Sequence, residues 1–418
     1  MERDVVTKVT WRLVPFMMLL YFVAYLDRVN IGFAALTMNA DLGFSATVFG
    51  TGAGIFFLGY VLFEVPSNIA LEKFGARRWI ARIMITWGLL SCAMAFIQGQ
   101  TSFYIARFLL GAAEAGFFPG MILYLTYWFP PAQRAKIIAT FFVAVPLSNV
   151  IGAPLSTALM GIDAFGFKGW QWLFLLEGAP AILLAFVVLA YLSDRPEKAT
   201  WLTDAEKQTL ARALAADAPR ETRHSLKDAL SDPRIWTFGF VYFGITVAIY
   251  GLGFWLPQIV QSFGGLSTMQ IGLVTAIPYA FASVVMLLWG RHSDKTGERV
   301  WHVAIPAFAG AAGFLVSAAL AGSPLLAFIA LNIAAAGVFS TVPPFWTLPT
   351  ALLSGIAAAG GIALVNSVGN VGGYLGPFIV GYLRDVFQSF AGGISALGGF
   401  MALTGVLVLF ATRKSAAP

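Results

Sequence analysis

The sequence predicts an all-α integral membrane protein, with twelve transmembrane helices in two six-helix bundles and both termini in the cytoplasm. The first supporting observation is composition: 59% of the 418 residues are hydrophobic, 11% are charged, and the mean hydropathy is +0.79. A soluble protein carries about 25% charged residues. The second observation is a series of long apolar stretches, and the third is one long polar segment between two sets of them.

The apolar stretches are each long enough to cross a bilayer, which takes about 20 residues. The first six lie near 11–36, 47–71, 78–97, 101–128, 133–160 and 170–192, and the second six near 235–261, 268–290, 301–320, 325–348, 355–383 and 391–412. The first stretch is too long for a signal-peptide core and lacks a small-residue cleavage site. We therefore expect it to be a retained helix.

The polar segment at 193–234 divides the chain into an N-terminal six-helix bundle at 1–192 and a C-terminal one at 235–418. It carries eight acidic and eight basic residues, which is typical of a solvated cytoplasmic linker. Within it, Thr203 and Glu206 have the spacing of a capping box. A short surface helix is predicted to begin at Thr203.

The basic residues predict the orientation, because lysine and arginine accumulate on the cytoplasmic side. With the N-terminus inside, all 26 basic residues except Arg28, Arg107, Lys168 and Arg384 face the cytoplasm or its interface. The opposite orientation would invert this bias. The isoelectric point of 9.4 therefore reflects topology and contact with anionic lipid, and does not indicate nucleic-acid binding.

A short charged motif occurs twice at an offset of 222 residues, which indicates a duplicated unit. It follows the second and the eighth predicted helix, and reads acidic, lysine, x, glycine, x, basic. The copies run from Glu72 to Arg77 and from Asp294 to Arg299. This turn resembles the signature loop of the major facilitator superfamily, although the first copy has Asn68 for the leading glycine and Glu72 for aspartate.

More specifically, the chain resembles the anion:cation symporter family, which includes bacterial permeases for tartrate, sugar acids, phthalate and hydroxyphenylacetate. The matching stretches are YLDRVNIG at 25–32, FEVPSN at 63–68, RFLLGAAEAGFFPG at 107–120, WLFLLEG at 172–178, WLTDAE at 201–206 and NSVGNVGG at 366–373. The resemblance implies the major facilitator fold and import of a small organic carboxylate by proton symport through alternating access. It places the protein in the bilayer of a bacterial inner membrane. We expect a monomer without cofactor.

Six ionisable residues lie at membrane depth, where a charge costs at least about 2.5 kcal/mol on insertion scales. All six belong to the N-terminal half: Asp27, Arg28, Glu64, Arg107, Glu114 and Glu177. At the 222-residue offset, the counterparts of Asp27, Arg28, Arg107 and Glu114 are uncharged: Ile249, Tyr250, Ile329 and Ala336. The charge chemistry is therefore expected in one half only.

The resemblance assigns anion binding to Arg28 and Arg107, and protonation to Asp27 and Glu114. Arg107 and Glu114 are two turns apart on one helix face, about 10 Å along the axis. We expect the ionised Glu114 to hold Arg107 and Asp27 to act beside Arg28. The alternative is that the four groups neutralise one another as static pairs.

Five further residues of the predicted spans are interpreted individually. Glu64 is expected to bond helix ends or the gating loop, and Glu177 to make a structural contact. Trp346, among Pro343, Pro344 and Pro349, predicts a broken end of the tenth helix. Asn366 and Asn370 lie i, i+4 on one face of the eleventh helix, and the resemblance assigns a substrate contact to Asn370.

Tyr25, Tyr60 and Tyr250 are candidate hydroxyls of the substrate cavity, although packing or interface anchoring explains a membrane tyrosine equally well. The loop residues Glu72, Arg77, Asp294 and Arg299 are the predicted gating groups.

Three other functions are less well supported by the sequence. An enzyme is disfavoured because the sequence has no metal-ligand cluster, nucleophile–base pair or phosphate loop, and a lone Cys92. An exporting antiporter is disfavoured because only Gly152 and Pro154 remain of the extended glycine-proline motif of such exporters. A non-transporting receptor does not explain the buried charges. The identity of the acid stays open.

Overall fold

The fold is built from α-helices, as predicted. The structure is a computed structural model that describes residues 2–130, 137, 144–216, 231–352 and 355–413. In the first half the helices are α1 (Glu2–Leu42), α2 (Ala46–Phe74), α3 (Ala76–Ala93), α4 (Gln100–Glu114), α5 (Phe117–Trp128), α6 (Ala144–Leu159) and α7 (Gly169–Tyr191). After α8 (Asp204–Ala216) come α9 (Pro233–Ser262), α10 (Thr268–Thr296), α11 (Val300–Ala319), α12 (Pro324–Leu352), α13 (Gly355–Phe387) and α14 (Ala391–Arg413).

Most of the predicted membrane spans appear as apolar helices. Ten spans of the described part are long and apolar enough to cross a membrane, the one at 100–128 comprising both α4 and α5. The other two predicted spans correspond to α6 and to α13. The count of twelve remains a prediction.

Two local predictions have different outcomes. The capping box is confirmed: the Thr203 amide donates to Glu206 Oε2 (2.8 Å), and the Glu206 amide donates to Thr203 Oγ1 (3.3 Å), where α8 begins. The broken end of the tenth helix is wrong, because α12 continues through Pro343, Pro344 and Pro349. Membrane helices tolerate proline when neighbouring groups satisfy the freed backbone atoms.

The fourth predicted span is interrupted, whereas one continuous span was predicted. Helix α4 ends at Glu114, and α5 starts at Phe117 after Gly116, whose φ of +82° is left-handed. A side chain at Gly116 would also collide with Ser67 of α2. Glycine is the residue that tolerates both conditions. The interruption makes Glu114 the last residue of its helix.

The two halves meet along seams in which glycine lets backbones approach closely. Helix α2 packs against α13, α6 against α10, and α1 against α9. A Cβ at Gly54 would lie 2.6 Å from the Tyr374 carbonyl oxygen, and one at Gly272 2.7 Å from that of Ala153. Small residues at such positions permit tight helix contacts in membranes.

One end of the bundle, where α1 ends and α2 begins, is bridged by polar bonds between the halves; we call it the outer end because it is predicted to be periplasmic. The Asp385 carboxylate, near the end of α13, accepts bonds from the Ala46 amide (3.1 Å) and the Thr47 amide (2.7 Å) of α2. Asn39 donates to Gln258 (3.4 Å). The halves are therefore joined at the outer end.

The opposite, inner end carries the linker helix. Lys8 of α1 forms an ion pair with Glu206 of α8 at 2.8 Å. The Tyr191 hydroxyl at the end of α7 donates to the Arg12 carbonyl oxygen (2.9 Å). The first contact holds α8 against α1, and the second holds the end of α7 against α1.

Candidate substrate and proton site

A buried ion pair lies at the centre of the molecule. The Arg28 guanidinium donates to the Glu114 carboxylate, and the two residues are 7% and 1% exposed. Glu114 ends α4, where the helix dipole disfavours a negative charge. The positive charge of Arg28 offsets this effect, so the pair stabilises a carboxylate at an otherwise unfavourable position.

The predicted pairing of Glu114 with Arg107 is wrong. Arg107 is fully buried, and its Nε and Nη2 donate to the carbonyl oxygens of Gly52 (3.3 Å) and Ala53 (3.1 Å) of α2. Its Nη1 has no hydrogen-bond partner. The interruption after Glu114 places the carboxylate beside α1, and Arg107 is left with one donor group available to a ligand.

Asp27 is held separately from the ion pair. Its carboxylate accepts hydrogen bonds from Asn30 Nδ2 (3.0 Å), Trp87 Nε1 and Ser91 Oγ. Adjacent residues on a helix point in different directions, so Asp27 faces α3 while Arg28 faces the centre. The sequence predicted that Asp27 acts beside Arg28, but the two side chains bind different partners and are not bonded to each other.

The second half meets Arg28 at its repeat counterpart. Arg28 Nη1 donates to the Tyr250 hydroxyl at 3.4 Å, and the two positions are 222 residues apart. The guanidinium also lies 5.9 Å and 5.3 Å from the ring centroids of Tyr25 and Tyr60. All three tyrosines singled out in the sequence therefore lie around the Arg28 guanidinium.

Glu64 and Asn366 form a hydrogen bond between the halves. Asn366 Nδ2 of α13 donates to Glu64 Oε1 of α2 at 2.8 Å. The Glu64 side chain therefore bonds the opposite half, and the expected bond to a helix end or gating loop is wrong. Asn370, one turn from Asn366, is buried. Glu177 has the structural contact that was predicted, since it accepts a bond from Ser156 Oγ at 2.7 Å.

The two copies of the charged turn differ in their bonding. In the second copy, Arg299 pairs with Asp294 at 2.7 Å. In the first copy, the Arg77 amide donates to Asp194 at 2.9 Å, and Glu72 is exposed. The shared glycines at 75 and 297 have φ of +88° and +70°, which explains why both copies retain glycine there.

A carboxylate of the second turn has a perturbed pKa. Partial burial raises the pKa of Glu298, but hydrogen bonds from the Trp301 amide and from His302 outweigh it and hold the value below the usual range. His302 is also bonded to His292, with 2.7 Å between their ring nitrogens. The turn therefore retains an ionised carboxylate at neutral pH.

One family model matches most of the chain. The model of the Major Facilitator Superfamily aligns with residues 17–377. The chain belongs to the Major Facilitator Superfamily. Like other members, it is a transporter and not an enzyme, and its apolar helices make it a multi-pass protein of a bacterial inner membrane.

Individual relatives span almost the whole chain. The chain is 55% identical over 418 residues to an Agrobacterium vitis protein named "Putative tartrate transporter", covering 99% of this chain and 93% of that one. It is 45% identical over 413 residues to the quinolone resistance transporter of Acinetobacter baumannii, covering 98% and 95%. The solved structure of a D-xylose–proton symporter has a TM-score of 0.74 at 15% identity, covering 96% and 97%, and supports the fold alone.

Several site residues were not singled out from the sequence. Trp87 and Ser91 bind Asp27, and Asp385 bridges the outer end. Trp87 and Ser91 lie i, i+4 on α3, so one helix face carries two donors; this spacing is a signal that sequence reading could have used. For Asp385 the only signal is an acid near the end of a predicted span.

Proposed function

We propose that this protein imports a small organic carboxylate together with protons, by alternating access to a central site. The observation that carries the proposal is the arrangement of Arg28 and Arg107: two buried guanidinium groups accompany one directly paired carboxylate, Glu114. Arginine suits this role because its fork matches a carboxylate in a bidentate geometry. The name of the Agrobacterium vitis relative supports tartrate or a similar acid as the substrate.

Proton coupling follows from competition for Arg28. When Glu114 is ionised, it occupies the guanidinium that a substrate carboxylate would use. Breaking a buried pair without replacement costs about 3–5 kcal/mol, because a charge is left uncompensated. When a proton neutralises Glu114 and a substrate carboxylate takes its place, Arg28 remains paired throughout. Substrate binding and protonation of Glu114 therefore favour one another.

Asp27 is proposed as a second proton-binding group. It faces three hydrogen-bond donors, which stabilise the ionised carboxylate, and it lies next to Arg28 in the chain. Protonation of Asp27 would weaken those bonds and loosen α1 against α3. This coupling links the proton to the helix that carries Arg28.

Alternating access is supported by the two kinds of contact between the halves. The outer end is joined by Asp385 and by Asn39, and these bonds must break when the outer end opens. The glycine-lined seam of α2 and α13 allows the halves to rock against each other while each half keeps its own packing.

Drug export is the second candidate, since one relative at 45% identity is a quinolone resistance transporter. An exporter of a bulky, purely cationic drug has no need of two buried arginines, whereas a zwitterionic drug carries an anionic group that an arginine binds. Direction of transport separates the two functions. In everted vesicles, proton-driven drug uptake into the vesicle lumen would indicate export.

The deciding experiment uses proteoliposomes loaded at pH 7.5 and diluted into pH 6.0 buffer containing radiolabelled tartrate, galactonate, phthalate or hydroxyphenylacetate. The proposal expects accumulation of at least one acid above the outside concentration, abolished by a protonophore. Equal accumulation with and without the pH gradient would exclude proton symport, and failure of all four acids even to exchange would contradict carboxylate transport.

A further inference from the structure

Glu64 is a buried acid that the proposed proton coupling does not use. It is 7% exposed, and its Oε1 accepts the bond from Asn366 of the opposite half. Its other oxygen, Oε2, is buried and has no hydrogen-bond partner. An unsatisfied buried acceptor is destabilising, more so when it is charged. Such a group requires an explanation, and a ligand that donates a hydrogen bond provides one.

The position of Glu64 relative to Arg28 defines a second pole of the central site. Tyr60 and Glu64 lie i, i+4 on one face of α2, about 5–6 Å apart at Cβ. The Arg28 guanidinium lies 5.3 Å from the Tyr60 ring centroid. Proceeding along this face, the site has a cationic pole at Arg28, then the Tyr60 ring, and then an acceptor at Glu64.

Helix α13 of the opposite half lies against this face of α2 in a defined register. A Cβ at Gly373 would contact the Phe57 ring, and Asn366 bonds Glu64, so α2 and α13 run antiparallel in a constant register. The same register places Asn370 opposite Tyr60. The acceptor pole is therefore formed by both halves, and a ligand that reaches it contacts both.

We propose that Glu64 is a specificity-determining residue, whose Oε2 accepts a hydrogen bond from a hydroxyl group of the substrate while a carboxylate of the same molecule binds at Arg28. The substrate class is then hydroxycarboxylates, in preference to the same acids without the hydroxyl. This inference rests on the proposed function. A site that hydrogen-bonds a substrate hydroxyl rejects an analogue that lacks it, because its own polar group stays unpaired.

The test compares matched acids that differ only in one hydroxyl: malate with succinate, lactate with propionate, and mandelate with phenylacetate, using both enantiomers of each hydroxy acid. Affinities are measured as competition against counterflow of the radiolabelled acid that the wild-type protein exchanges, or by calorimetry. For at least one pair, the wild-type protein should bind the hydroxy acid at least about tenfold more tightly, as a hydrogen bond to a charged group implies.

Two variants test whether Glu64 accepts a hydrogen bond from the substrate hydroxyl. Glu64→Leu removes the acceptor, so the ratio should fall below about threefold through loss of affinity for the hydroxy acid alone. Glu64→Gln keeps the oxygen that accepts the bond from Asn366 and puts an uncharged amide NH2, which only donates, in the place of Oε2. The ratio should therefore also fall in this variant of nearly the same shape, which keeps the test valid even if the leucine variant does not fold. Glu177→Gln changes a buried acid that is bonded to Ser156 within the first half, and should leave the ratio unchanged.

The outcomes are distinguishable. Equal wild-type affinities within every pair, or an unchanged ratio in both Glu64 variants, would overturn the assignment of Glu64 while leaving carboxylate transport intact. If the wild-type protein exchanges one of the radiolabelled acids but binds no acid of any pair, the assignment of Glu64 alone fails. If it exchanges none of the radiolabelled acids, the proposed function fails, and the hydroxyl preference fails with it. A collapsed ratio with unchanged affinity for the deoxy acid supports the proposal.

Discussion

The bond from Asp385 to the start of α2 offers a direct test of how the outer end closes. The carboxylate accepts two backbone N–H groups of α2, at 3.1 Å from Ala46 and 2.7 Å from Thr47. These groups belong to the first turn, where α2 has no intrahelical acceptors for them. Asp385 thus caps a helix of the opposite half, and the cap is lost whenever the outer end opens.

The magnitude follows from the energies of helix caps. Replacing a capping side chain by alanine costs about 0.5–2 kcal/mol, and a negative charge at a helix N-terminus contributes about 0.3–1 kcal/mol more. Asp385→Ala should therefore shift the equilibrium toward the open outer end by about 5- to 150-fold, the equivalent of about 1–3 kcal/mol. Asp385→Asn loses mainly the charge contribution, so a shift of about two- to fivefold is expected.

The assay is a distance measurement between spin labels at Ala40 and Thr268, which are exposed at the outer end of α1 and α10. The single native thiol is first removed by Cys92→Ala. Asp385→Ala should increase the population of long distances, with Asp385→Asn between it and wild type. The control is Asp163→Ala, which removes an exposed acid from the loop before α7. Identical distance distributions in wild type and Asp385→Ala would refute the capping argument.

Three further predictions test the site and its surroundings. Arg28→Lys should weaken substrate binding at least about tenfold in calorimetry, because an ammonium does not reproduce bidentate recognition. Arg107→Lys should do the same, because one ammonium group does not bond the carbonyl oxygens of Gly52 and Ala53 and also reach a ligand as the free Nη1 does; near-wild-type Kd in folded variants would contradict the assignment. Gly54→Leu should block exchange but retain binding, because a Cβ at this position meets the Tyr374 carbonyl oxygen at 2.6 Å; normal exchange would show that the seam is not needed in its closed form. Asp294→Asn, which breaks the ion pair of the second charged turn, should change kcat in transport assays with KM largely unaltered, and a dominant KM effect would argue against gating.

The parts of the fold that were predicted correctly depend on local patterns. Apolar length predicted the helices, and the spacing of Thr203 and Glu206 predicted the start of α8. Each of these signals is read within a few turns of chain. The repeat also identified Tyr250 as the counterpart of Arg28, and the two side chains meet across the central interface.

The parts that were missed depend on tertiary contact. The interruption after Glu114 follows from the close approach of Gly116 to α2. Gly116 and Pro119 are local stop signals, but the apolar length of the run favoured one continuous span. That interruption directs Glu114 to Arg28 and leaves Arg107 with backbone partners. In the same way, the bond between Glu64 and Asn366 joins residues 302 positions apart, which helix periodicity does not relate.

The exchange of partners on Arg28 is the central claim, and Glu114→Gln tests it most directly. The variant resembles the protonated state, so it should bind substrate and support counterflow of internal for external acid. It should not concentrate substrate when a pH gradient is applied. Both assays are made on the same proteoliposomes, so misfolding is excluded by the counterflow signal. Loss of proton-driven accumulation with counterflow retained is the predicted result, whereas accumulation equal to that of the wild type would contradict the account.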